Sequence, residues 1–149
     1  DLKIEINNAS DLSDEETDRL RKLACRIYKR FCSEPAEISI AFVDEQTTVD
    51  VNHRFLKKKQ STDVISFDIS DPQSKTASLE ILINTDCAKR EAQKRNISKI
   101  NELALYLAHG LLHQLGFNDQ NPADAKKMHE TEDMILGENG FGKVYYAKK

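Results

Sequence analysis

Residues 98–116 read SKINELALYLAHGLLHQLG. Ile100, Leu103, Leu107, Leu111 and Leu115 recur at spacings of three and four and trace one stripe, so the stretch predicts an amphipathic helix opening at Ser98. Gly116 supplies its C-terminal stop. Elsewhere the period is two. Residues 2–7, LKIEIN, and residues 37–43, EISIAFV, alternate apolar with polar or small side chains and predict half-buried strands. Residues 64–67, VISF, and 79–83, LEILI, predict two more strands, separated by a polar loop containing Pro72.

The remaining segments fill in around these. Ser13 and Glu16 have capping-box spacing. They open a helix whose apolar face is Leu20, Leu23, Ala24, Ile27, Tyr28 and Phe31, running to about Cys32 before Pro35. A short helix is predicted from about Thr47 to Phe55. From about Thr85 the period becomes 3.6 and stays there. One helix covers roughly 85–95, the next opens at Ser98, and Pro122 starts a last one running to about Leu136. The order βαβ(α)ββααα predicts an α/β (α+β) fold with residues 1–149 as a single domain. A small mixed sheet of about four strands carries packed helices, and the helix bearing His109 and His113 packs centrally against it.

Composition narrows the class. The chain has 149 residues, a formal charge of −3, 39% hydrophobic and 32% charged residues, with only 5 glycines and 3 prolines. That balance suits a globular domain with one core and excludes a low-complexity chain. Net acidity excludes nucleic-acid binding by bulk charge alone, leaving a local basic patch as the route. No apolar run approaches the roughly 18 residues that cross a bilayer. The start, DLKIE, lacks signal-peptide features, so no membrane partner is expected. Three cysteines, Cys25, Cys32 and Cys87, lack disulfide-framework or CxxC spacing and point to a reducing, cytoplasmic location.

The chemistry centres on HGLLHQLGFND, residues 109–119. His109 and His113 are four apart, a little over one helical turn, so both imidazoles leave the same face and can take adjacent corners of a tetrahedral zinc site. The bland alternative is a chance pair of exposed or hydrogen-bonded histidines. Gly110 weighs against it, because a mid-helix glycine costs ~1 kcal/mol and implies close packing or close approach of a ligand. Beyond the reversal at Gly116, Asp119 offers a carboxylate as third ligand. His129, on the last helix, is the other candidate for that place. Three protein ligands leave a fourth position open, the catalytic pattern. Position 110 is not the glutamate that metalloproteases use as general base, which argues against a peptidase.

Residues 109–119 resemble the H-G-x-L-H-x-x-G-[YF]-D-H signature of the YbeY-type endoribonucleases, zinc-dependent proteins of rRNA maturation and ribosome quality control. Asn52 with Ser61-Thr62-Asp63-Val64-Ile65-Ser66-Phe67 is similar to the family's N-x-x-Y-R…P-T-D-V-L-S-F block. Leu79-Glu80-Ile81 stands at its G-D-I, and Met128…Glu132…Leu136 resembles its terminal helix. The resemblance covers about residues 2–137. It implies one zinc ion per chain on His109, His113 and Asp119, and RNA as substrate, specifically rRNA of the small ribosomal subunit, with ribosomal proteins as further partners.

Two departures bear on chemistry. Asp119 stands at the family's third histidine and Leu56 at its catalytic arginine, so no catalytic side chain is assigned from the motif. A His, His, Asp set leaves zinc with a net charge of +1 instead of +2. Losing the guanidinium removes a two-pronged phosphate partner. The competing reading is therefore an attenuated family member that binds RNA or the ribosome without cutting. Arg54, Lys57, Lys58 and Lys59 are the candidate RNA contacts. Lys89, Arg90, Lys94, Arg95 and Lys99 read more readily as a solvated face. Phe55, Phe67 and Phe117 are expected in the core, His53 at the surface. Glu80 is expected either near the ligands or facing solvent.

Overall fold

The computed structural model describes residues 1–57, 62–142, 144 and 145. β1 (Leu2–Asn7) pairs in parallel with β2 (Ala36–Val43), and β2 in parallel with β4 (Ala77–Asn84). β3 (Val64–Asp68) closes the edge antiparallel to β4, giving the order β1-β2-β4-β3. The register aligns Ile4 with Ile38 and Ile38 with Leu79, then Ile6 with Ile40 and Ile40 with Ile81. Apolar rows therefore cross three strands on one face, which the alternating sequence requires.

Five helices follow the predicted order: α1 (Asp14–Phe31), α2 (Glu45–Leu56), α3 (Thr85–Arg95), α4 (Lys99–Gln114) and α5 (Pro122–Glu138). At α1 the capping box is complete, with Ser13 and Glu16 each bonding the other's backbone N–H. α2 starts two residues before its sequence expectation, because the Asp44 carboxylate accepts from the Thr47 N–H and caps it. α4 is buried from Glu102 through Ala108, all the way round rather than on one stripe, because it touches α1, α3, α5, β3 and β4. Its apolar contacts with Leu20, Leu23 and Ile27 of α1 and Ile81 and Ile83 of β4 make up the core.

Two glycines set α4 in place. At Gly110 a Cβ would lie 2.9 Å from Val64 Cγ2 and 3.3 Å from Ile81 Cγ2, so glycine lets the helix approach the sheet. Gly116, at φ +105°, ends the helix in a Schellman turn: its N–H bonds the His113 carbonyl and the Phe117 N–H bonds that of Leu112.

Phe67 and Phe117 are half-buried, but Phe55 departs from expectation at 60% exposed. α2 docks through Thr48 and Asn52, and Phe55 meets only Phe67, edge to face at 5.9 Å. The basic residues of α3 are largely paired. Arg90 grips Glu45 with both terminal nitrogens, Lys94 lies near Glu91, and Arg95 bonds Glu102. All three cysteines are free and half-buried.

Candidate metal centre and its cleft

α4 presents His109 and His113 to a cleft of about 510 Å³, whose walls include Asn52 and Leu56 of α2, Ser66 of β3 and Asp119. The Schellman turn reverses the chain, which brings Asp119 Oδ2 to 3.8 Å from His109 Nε2. His113 is exposed on the same cleft, one turn further along α4. The end of α4 is pinned to the edge strand where Gln114 Nε2 donates to Ser66 Oγ at 2.9 Å.

Behind the cleft lies a second layer. Glu132 of α5 has no exposed side-chain surface; its Oε2 is 2.6 Å from His109 Nδ1 and its Oε1 is 2.8 Å from His129 Nδ1. A carboxylate can only accept here, so both imidazoles donate from Nδ1, and Nε2 is the atom of His109 turned toward Asp119. Burial, the largest influence on His109, pulls its pKa down. The hydrogen bond and charge of Glu132, aided by Asp63 and Asp119, outweigh it and hold the pKa above the usual histidine value. Asp63 is pushed up, chiefly by burial, against the opposing pull of His109.

The three residues expected as ligands thus line one cleft, together with Leu56. Their ligand atoms do not all crowd together. Among the described residues, the group whose atoms all lie within 4.8 Å of one another is His109, His129 and Glu132. Its short contacts are the hydrogen bonds just described, made on the far side of the His109 ring from Asp119. His129 therefore stands behind His109 rather than across the cleft. Arg54 and Lys57 are exposed at the end of α2, beside Leu56, and His53 is exposed as expected. Lys58 and Lys59 lie outside the described residues. Glu80 is half-buried on β4 and is not among the cleft residues.

Sequence reasoning gave Glu132 no role. Its signal was a carboxylate in the apolar phase of α5, level with Met128, Ile135 and Leu136, all buried. A charge kept in such a row needs a buried partner.

A sequence model of the family described as Endoribonuclease YbeY matches residues 4–140. Curated relatives bearing that name include one from Anaeromyxobacter dehalogenans, 40% identical over 83% of this chain and 64% of its own length. One from Myxococcus xanthus is 39% identical over 70% of this chain and 37% of its own. A third, from Syntrophus aciditrophicus, is 30% identical over 91% and 88%. The chain thus spans less than two thirds of the first two relatives and most of the third. A Thermotoga maritima protein solved in solution shares the fold, with TM-score 0.59 and 20% identity over the whole of both chains.

Proposed function

The chain belongs to the Endoribonuclease YbeY family, and we propose that it is a metal-dependent endoribonuclease that hydrolyses RNA phosphodiesters during rRNA maturation and ribosome quality control. The observation that carries this reading is the pairing of His109 Nε2 with Asp119 Oδ2 at 3.8 Å across an open cleft, with His109 fixed from behind by Glu132. Two ligand atoms on one tetrahedral zinc stand about 3.4 Å apart, so this pair needs only a small closure to share an ion. Imidazole nitrogen and carboxylate oxygen are both zinc donors, and His113 offers a third from the same face. We assign one zinc ion per chain to His109, His113 and Asp119. When bound, it supplies Lewis acidity to a phosphodiester or to water.

The remaining work falls to the chain. Glu132 holds the His109 ring so that Nε2 points outward. Arg54 and Lys57, exposed at the end of α2, are the proposed phosphate contacts, and the binding they would give is salt-dependent. Leu56, 43% exposed on the cleft wall, offers a phosphate no hydrogen bond. No helix among the described residues is long and apolar enough to cross a membrane. The proposed setting is the cytoplasm, with residues 1–149 acting as a single domain on small-subunit rRNA beside ribosomal proteins.

The test is cleavage of structured rRNA by untagged protein, zinc-loaded and chelated. Cleavage that stops with chelator and returns with zinc supports the enzyme. Salt-sensitive RNA binding without cleavage in either state would instead make the chain an RNA-binding family member.

A further inference from the structure

Glu132 serves two imidazoles, and only one of them faces the cleft. His129 is half-buried and is not among the cleft residues, yet it gives its Nδ1 to the second oxygen of the carboxylate at 2.8 Å. Its ring is held in turn by Tyr145, with centroids 3.5 Å apart and planes 4° from parallel. The His109 ring lies 6.0 Å beyond His129 and 16° from parallel, so three rings stand in series. Tyr145 is fixed through its backbone. Its N–H donates to Asp133 Oδ1 at 2.7 Å, the Val144 N–H donates to the same oxygen at 2.9 Å, and its carbonyl accepts from Arg95 at 3.0 Å.

We propose that His129, clamped by Tyr145, is a positioning residue that sets the Glu132 carboxylate and through it the ring of His109, so that docking of the segment bearing Val144 and Tyr145 tunes the affinity of the cleft for its metal ion. This rests on the reading of His109 as a metal ligand. A carboxylate with one partner can turn about its last carbon–carbon bond. With a donor on each oxygen its plane is fixed, and so is the line along which it holds the His109 Nδ1–H. A carboxylate that holds a ligand histidine directly is worth about 10–100-fold in affinity, and His129, one hydrogen bond further out, governs a part of that. The coupling is reciprocal: a bound ion that favours the set His109 ring also favours the docked tail.

The experiment measures zinc affinity of the full chain by competition with a chromophoric chelator. His129→Phe keeps a flat ring against Tyr145 but has no donor, and its affinity falls by about threefold or more, a part of what a direct partner of a ligand histidine is worth. His129→Asn places an amide N–H near the position of Nδ1 and restores most of that loss. Tyr145→Phe keeps the stacked ring and stays closer to the parent than Tyr145→Ala, which weakens binding. The absorption bands of the cobalt-substituted protein shift in His129→Phe. Zinc slows hydrogen exchange at the Val144 and Tyr145 amides in the parent and not in His129→Phe. Folded His129→Phe with the parent's zinc affinity and cobalt spectrum overturns the proposal, as does Tyr145→Ala with no effect. His109→Ala separates the two levels. If it keeps the parent's affinity, the ligand reading falls and the inference with it. If it loses zinc while His129→Phe does not, only the inference falls.

Discussion

Glu132 Oε2 lies 2.6 Å from Nδ1 of His109, and the carboxylate has no exposed surface. An ionised group in that position is tolerated only when its oxygens are filled. Both are, by two imidazoles from two helices. The consequence for the cleft is directional: the ring of His109 cannot turn without breaking a charge-assisted bond in the core, so Nε2 stays aimed at Asp119. A carboxylate in an apolar row of α5 makes sense only against this partner.

Glu132→Gln keeps the shape and removes the charge. An amide cannot accept from both imidazoles, because its nitrogen meets one of them donor to donor. Zinc affinity is expected to fall by about 10–100-fold, and the metal-free fold to lose ~1–3 kcal/mol. Chelator competition and melting curves read the two effects separately. Unchanged affinity would mean that His109 needs no support from behind.

Gly110→Ala sets two terms against each other. Alanine favours the helix by ~1 kcal/mol. Its Cβ would stand 2.9 Å from Val64 Cγ2 and 3.3 Å from Ile81 Cγ2, on two stiff β-branched side chains. Such overpacking costs ~1–3 kcal/mol and would lift α4 from the sheet, carrying both histidines with it. A lower Tm together with weaker zinc binding is expected; a higher Tm would show that Val64 gives way without cost.

Local signals explain what the sequence made legible. The alternation in β1 and β2, the Ser13–Glu16 box, the Gly116 stop and the close packing implied by Gly110 are each written within a few neighbouring residues. The order β1-β2-β4-β3 is not, because pairing partners are chosen by the whole core. Glu132 was hidden for the same reason: its partner His109 is 23 residues away on another helix. Past Leu136 no periodic pattern marks a buried element, yet Phe141 and Val144 are buried in the core and Tyr145 reaches His129. Phe55 was misplaced because hydrophobicity alone does not say that α2 docks through Thr48 and Asn52.

Two phenols should resist ionisation. Burial, then the hydrogen bond with Cys32, pushes Tyr28 up to about 12, and burial with Cys87 and Glu102 pushes Tyr106 up as well. An unfolded tyrosine loses its proton near pH 10. Between that value and the folded one the native state holds more protons than the unfolded state, so stability falls as pH rises through this window. Ultraviolet titration should show Tyr28 and Tyr106 ionising only as the fold opens. Titration near pH 10 with the fold intact would contradict their burial.

The exposed cations at the end of α2 make a salt-dependent prediction. Arg54→Glu and Lys57→Glu should each weaken RNA binding about equally across RNA sequences. Each should also reduce the slope of log affinity against log salt by about 1, since a lost phosphate contact releases one fewer counterion. Binding isotherms at several salt concentrations measure this. Arg90→Glu serves as the control, because Arg90 already pairs with Glu45 and should matter less. Equal losses for all three would extend the RNA path from α2 onto α3.

The last prediction concerns the two departures together. Leu56→Arg places a guanidinium on the cleft wall at a position already 43% exposed, so the new charge is not stranded in the core. Such a group, aimed at charge that develops on a phosphate, is worth about 3 kcal/mol, or roughly a hundredfold in rate. Asp119→His restores one unit of positive charge at the proposed zinc site and strengthens its Lewis acidity. The exchange occurs on a side chain 46% exposed, where a larger ring has room. Each variant should cleave rRNA faster than the parent. The pair should exceed either alone, because metal and guanidinium act on the same developing charge. The assay uses double variant shown by melting to be folded and by elemental analysis to hold zinc. A folded, zinc-loaded double variant no faster than the parent would mean that neither residue limits the rate. Activity in the parent would then have to come from the present cleft without a guanidinium, and its absence from both would leave RNA binding as the function of this fold.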